Sequence, residues 1–128
     1  MRFPASILYV EDDPAIAEMY KLGLERSGYE VTIAPDGPSA LDLLHRKPFD
    51  LVLLDVMLPG MGGVDLLQAI RADPELQQLP AAILSNSELG RKLRDRARRL
   101  GIQGWLTKSA NPPAAVARSL RRWLKQPA

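Results

Sequence analysis

At 128 residues, with 46% hydrophobic and 25% charged residues, the chain has the composition of one globular domain with a core of its own, which excludes wholesale disorder. The absence of cysteine excludes disulfide staples and thiolate metal sites. The net charge of +2 conceals a division: residues 1–84 carry 6 Lys/Arg against 13 Asp/Glu, a sum of −7, whereas residues 85–128 carry 11 against 2, a sum of +9.

In chain order, Met1-Arg2-Phe3-Pro4 leads into a predicted strand at Ser6 to Val10 without the apolar core of a signal peptide. No later run reaches membrane-spanning length, so a soluble cytoplasmic protein is expected. "EDDP" follows, and Pro14 suits the start of a helix along which Ile16, Met19, Tyr20 and Leu24 share a stripe, with Gly28 as its stop. A strand over Glu30 to Ala34 precedes a helix from about Ser39 to His45. His45, the only histidine, reads as a surface residue before a proline-containing loop. Leu51 to Leu54 is a wholly apolar run bounded by Pro59-Gly60, the pattern of a parallel strand covered on both faces. A helix from Val64 to Ala72 and a strand from Ala81 to Leu84 come next. The spacing then predicts a fourth helix over Ser87 to Leu100, with Leu89, Leu93, Ala97 and Leu100 on one stripe and Gly101 at its end. Gly104 to Leu106 is the last strand. Asn111 is expected to cap a fifth helix that starts at Pro112 and carries Val116, Leu120, Trp123 and Leu124 on one face. Residues 125–128 read as a tail or the start of a linker, the whole chain being one domain. Strict alternation of strand and helix implies a parallel sheet with right-handed crossovers and helices on both faces.

Two acidic features stand at carboxyl ends of strands, where ligands bind in open α/β sheets. Asp55 ends the third strand; Glu11, Asp12 and Asp13 follow the first. In a parallel sheet whose first and third strands are neighbours, these carboxylates repel one another unless a cation or a proton intervenes. Oxygen ligands suit a hard divalent ion, Mg²⁺ or Mn²⁺. Taken alone, "EDDP" could equally be a helix-starting cap, since Asp at a helix N-terminus accepts backbone N–H bonds and suits the dipole. Ser85 and Lys108, near the ends of the fourth and fifth strands, add a hydroxyl and an ammonium, a set suited to a phosphoryl group.

The segments "ILYVEDDP", "PFDLVLLDVMLPGMGGVDLL", "ILSNS" and "GWLTKS" resemble the receiver domain of two-component response regulators over nearly the whole chain. The resemblance implies a three-layer αβα, flavodoxin-like fold with five parallel strands in the order 2-1-3-4-5. It implies that Asp55 accepts a phosphoryl group from a sensor histidine kinase or phosphotransfer protein, as an autocatalytic switch and not a turnover enzyme. It casts Glu11, Asp12, Asp55 and the Met57 carbonyl as the Mg²⁺ ligands, Lys108 as the phosphoryl contact, and Ser85 and Trp105 as the hydroxyl and aromatic of the switch.

Departures from the family pattern gather at the mouth of that site. Ser109 replaces the usual proline after the lysine, leaving a strained cis bond or a trans bond with a shifted loop. Asn86 replaces a small residue after Ser85. Asn86, Ser87 and Ser109 are therefore expected to modulate access to Asp55.

The predicted fourth helix carries Arg91, Lys92, Arg94, Arg96, Arg98 and Arg99 against Asp95, and the fifth adds Arg118, Arg121, Arg122 and Lys125. This basic face is either a solvated exterior or a surface for an acidic protein partner or a second copy. Direct nucleic-acid binding is not expected, because no DNA-reading motif accompanies the charge. The competing reading is a degenerate receiver acting as a phosphorylation-independent interaction module. An aspartyl phosphatase would need a second aspartate where Met57 stands, and "EDDP" would repel the phosphate of a flavin.

Overall fold

A computed structural model describes residues 4–86 and 90–125. The elements run β1 (Ser6–Val10), α1 (Pro14–Arg26), β2 (Glu30–Ala34), α2 (Gly37–Arg46), β3 (Leu51–Leu54), α3 (Gly63–Ala72), β4 (Ala81–Ser85), α4 (Arg91–Leu100), β5 (Trp105–Thr107) and α5 (Pro113–Leu124), with a single 3₁₀ turn, Lys108–Ala110, after β5. The strands form one parallel sheet in the order β2-β1-β3-β4-β5, as the resemblance implied.

Alternation along the strands separates two apolar layers. Leu8, Val10, Val52, Leu54 and Ile83 face α2, α3 and α4, meeting Leu44, Leu66, Ile70 and Ala97. Ile7, Tyr9, Leu51, Leu53 and Leu84 face α1 and α5, meeting Tyr20, Leu24, Val116 and Leu120. The three central strands β1, β3 and β4 are buried along their whole length, while β2 and β5 at the edges are partly open. That difference explains why the central strands read as continuous apolar runs.

Helix starts differ from the sequence expectation: α2 and α3 begin earlier, at Gly37 and Gly63, and the last two helices begin later. The fourth helix begins at Arg91, not Ser87: Gly90 is its N-cap, and residues 87–89, including Ser87 and Leu89 of the expected stripe, lie outside the described residues. A glycine interrupts helical propensity, and the helix starts after it. The fifth helix begins at Pro113 with Pro112 at the N-cap, and Asn111 does not cap it. The Asn111 side chain donates instead to the Thr107 carbonyl, 2.9 Å away, closing the turn that carries Lys108.

The end of α4 is held by a contact between side chain and backbone that periodicity does not reveal. Arg71 on α3 donates through Nε to the Leu100 carbonyl (2.8 Å) and through its terminal nitrogens to the carbonyls of Leu79 (2.7 Å) and Gly101 (2.8 Å). Gly101 itself turns the chain with φ +93°, which a side chain would resist.

Candidate functional site

β1 and β3 are adjacent and in register from Ile7 with Leu51 to Val10 with Leu54, so the residues that follow them, Glu11 and Asp55, emerge side by side at the carboxyl edge. β4 lies on the other side of β3, and Ser85 at its last position reaches Asp55. Close backbone packing sets the depth of the Asp55 loop: a Cβ at Gly63 would lie 1.9 Å from the Asp55 carbonyl oxygen, so only glycine lets α3 start there.

The Asp55 carboxylate is buried, and both of its oxygens accept hydrogen bonds. Ser85 Oγ donates to Oδ1 at 2.7 Å, the Met57 N–H to the same oxygen at 3.3 Å, and Lys108 Nζ to Oδ2 at 2.7 Å. Lys108 also donates to Glu11 Oε1, so its ammonium bridges two buried carboxylates. Glu11 accepts in addition from the Tyr9 hydroxyl and from the Asp13 N–H, each at 3.1 Å.

These contacts set opposite protonation tendencies. Burial pushes the Asp55 carboxyl upward, but the bonds from Lys108 and Ser85 outweigh it and hold Asp55 below the ordinary aspartate value. For Glu11 burial prevails over the bonds from Lys108 and Asp13, and its carboxyl is raised. Burial would lower Lys108, yet its two carboxylate partners raise it, so the ammonium is retained. The arrangement is an ionised Asp55 pinned by a fixed cation, beside a second carboxylate that gains a proton more readily.

Glu11, Asp12 and Asp55 offer carboxylate oxygens within 4.8 Å of one another, with Asp12 exposed and the other two buried. Hard oxygen donors with an exposed side fit a partly hydrated divalent cation. Asp13 lies outside this group: its Oδ1 accepts from the N–H groups of Ala15 (3.0 Å) and Ile16 (3.2 Å), capping α1.

Trp105 opens β5 opposite Ile83 and is half-buried, with the Arg94 guanidinium 4.6 Å from its ring centre. The expected access residues Asn86 and Ser109 meet: the Ser109 N–H donates to Asn86 Oδ1 at 2.9 Å. Tyr9 and Tyr20, to which the sequence analysis gives no site role, also reach these residues. Tyr9 bonds Glu11, and the Tyr20 hydroxyl reaches the carbonyls of Asn111 (2.7 Å) and Lys108 (3.2 Å). A signal existed for Tyr9, since positions i and i+2 of an extended segment share a face and Glu11 is two residues on. Tyr20 lies on an apolar helical stripe that gives no such hint.

The sequence matches the response regulator receiver domain over residues 7–119. The chain belongs to that family. Like other receiver domains of two-component systems, which act as signalling switches with histidine kinases or phosphotransfer proteins, it carries an acidic pocket of the kind that generally binds Mg²⁺. This receiver domain is 42% identical over 82 residues to the probable transcriptional regulatory protein TcrX of Mycobacterium tuberculosis. That match takes in 64% of the chain but 34% of the relative, so the chain spans about a third of the length of that protein. Among solved structures it resembles the chemotaxis response regulator CheY4 of Vibrio cholerae (TM-score 0.83, 29% identity, 93% of this chain and 98% of that one). It also resembles a sensor protein from Polaromonas sp. JS666 (TM-score 0.86, 29% identity, 95% and 97%). Among the described residues no helix is long and apolar enough to cross a membrane.

Proposed function

We propose that Asp55 is the phospho-acceptor of this receiver domain. The observation that carries the reading is the Asp55 carboxylate held by Lys108 Nζ and Ser85 Oγ, each at 2.7 Å, at a strand end beside Glu11. A carboxylate kept ionised and oriented is a competent nucleophile. Its free lone pair attacks phosphorus as the P–N bond of a donor phosphohistidine breaks, giving an acyl phosphate on Asp55 and returning the donor histidine.

Lys108 then transfers its bond from the carboxylate to a phosphoryl oxygen, offsetting the charge that accumulates there. Ser85 turns its hydroxyl from Oδ1 toward a second phosphoryl oxygen, and Trp105 moves into the space it leaves. Glu11, Asp12, Asp55 and the Met57 carbonyl would hold Mg²⁺, which supplies neutralising charge to the transferred group. The readout is a changed surface over α4, β5 and α5, offered to an acidic protein partner or a second copy. The reading takes residues 1–128 as a single receiver domain, alone or as part of a longer regulator in the cytoplasm.

Intact-protein mass spectrometry after incubation with acetyl phosphate and Mg²⁺ tests the proposal. The expected result is one phosphoryl adduct per chain, absent without Mg²⁺ and absent in Asp55→Asn. An unmodified wild type whose Trp105 fluorescence is also unmoved by beryllofluoride would instead favour a degenerate receiver that acts without phosphorylation.

A further inference from the structure

The opposite end of the sheet gathers a second set of convergent donors, which phosphoryl transfer does not use. His45 stands in the last turn of α2, Asp73 follows the last turn of α3, and Glu75 comes two residues later. One ligand atom from each of the three lies within 4.8 Å of the others. His45 Nε2 is 2.6 Å from Asp73 Oδ2.

The Asp73 carboxylate is aimed by backbone: its Oδ1 accepts the Glu75 N–H at 2.9 Å, which leaves Oδ2 turned to His45. A ligating carboxylate that is itself hydrogen-bonded is the supporting arrangement that orients the ligands of metal sites. A cavity of about 580 Å³ opens beside the cluster, lined by His45, Glu75, Lys47, Phe49 and Leu76 among others. It leaves room for solvent on a bound ion.

We propose that His45, Asp73 and Glu75 form a binding site for a borderline first-row divalent cation, of which Zn²⁺ is the representative. One imidazole with two carboxylates suits such an ion, whereas Mg²⁺ prefers oxygen alone. The cation takes the place of the proton between Nε2 and Oδ2. With metal–ligand bonds of about 2.0–2.2 Å, the pair widens by less than about 1 Å while Glu75 closes in. Three protein ligands leave one position to water. Two anionic carboxylates and a neutral ring match a dication, and the bound ion ties the end of α2 to the connection between α3 and β4.

Calorimetric titration of the full chain with ZnCl₂ at neutral pH, in the presence of Mg²⁺ to occupy the oxygens around Asp55, tests the site. One Zn²⁺ per chain is expected, with affinity lowered about tenfold or more in His45→Gln and in Glu75→Gln. Because His45 is the only histidine, its two ring-proton NMR signals report on this site alone, and Zn²⁺ should shift them in the wild type. Signals that stay in place, or an affinity the same in wild type and both variants, would overturn the proposal and leave His45 and Asp73 as an ion pair only. The NMR arm needs no variant, so a failure of either substitution to fold does not blunt it.

Discussion

Asn86 and Ser109 were two separate oddities of the sequence, and in the structure they are one hydrogen bond. A proline at 109 would offer no N–H; serine does, and Asn86 Oδ1 takes it at 2.9 Å. The bond ties the end of β4, where Ser85 stands, to the turn that carries Lys108. It also sets an amide at the mouth of the Asp55 site. Under the proposed reading, Asn86→Ala should speed both labelling by acetyl phosphate and loss of the phosphoryl group by about fivefold, the rate equivalent of one neutral hydrogen bond near 1 kcal/mol. The adduct's decay, followed by intact mass, measures this directly; an unchanged lifetime would mean the amide neither screens Asp55 nor steadies Lys108. Asp55, Glu11 and Ser85 were legible because each directly follows or ends an apolar run, and Lys108 because it follows the last strand; strand ends converge once strand order is known. The Asn86 bond was not legible, since it joins residues 23 apart through one backbone N–H and one rotamer, which no periodicity encodes.

At the scale of elements, helix ends carry the least reliable signal, and the reason is the chemistry of the caps. Pro14 predicts the start of α1, and the Asp13 side chain caps the helix there. α5 starts one residue after the expected Pro112, because Asn111, which has the chemistry of a cap, bonds the Thr107 carbonyl instead. α2 starts two residues before the expected Ser39, where Asp36 Oδ1 accepts the Ser39 N–H at 2.8 Å. That cap is testable through pH. The bond from the Ser39 backbone holds the Asp36 carboxyl below its ordinary value of 3.8. A depressed folded pKa stabilises fully above the unfolded value and is lost as pH falls through the folded one. Asp36→Asn keeps an acceptor but cannot titrate. Urea denaturation from neutral pH into the acid range should therefore show the wild type losing its advantage over Asp36→Asn as the pH falls below about 3.8, the ordinary aspartate value. A difference that is constant across the range would mean the cap contributes through its shape alone.

Over the whole molecule, the proposed phosphoryl site and stability meet in one buried charge cluster. The Lys108 side chain is 8% exposed, and its partners Glu11 and Asp55 are 1% and 9% exposed. A well-packed hydrophobic replacement of a buried ion cluster is often neutral or stabilising, so the cluster as a whole is weak evidence for a stabilising role. Removing only the cation is a different matter, because it leaves two buried carboxylates facing each other at the edge of the central strands. Lys108→Ala should cost about 3 kcal/mol in the absence of divalent ions, the scale of a broken buried pair. A cation that binds the folded state alone stabilises by mass action, and it does so most where no ammonium competes for the same oxygens. Millimolar Mg²⁺ should accordingly return more stability to Lys108→Ala than it adds to the wild type, measured as paired urea curves with and without the ion. An equal gain in both chains would mean that Lys108 and the cation address different oxygens. A larger gain in the wild type would mean that the lysine helps hold the site open for the ion instead of standing in for it.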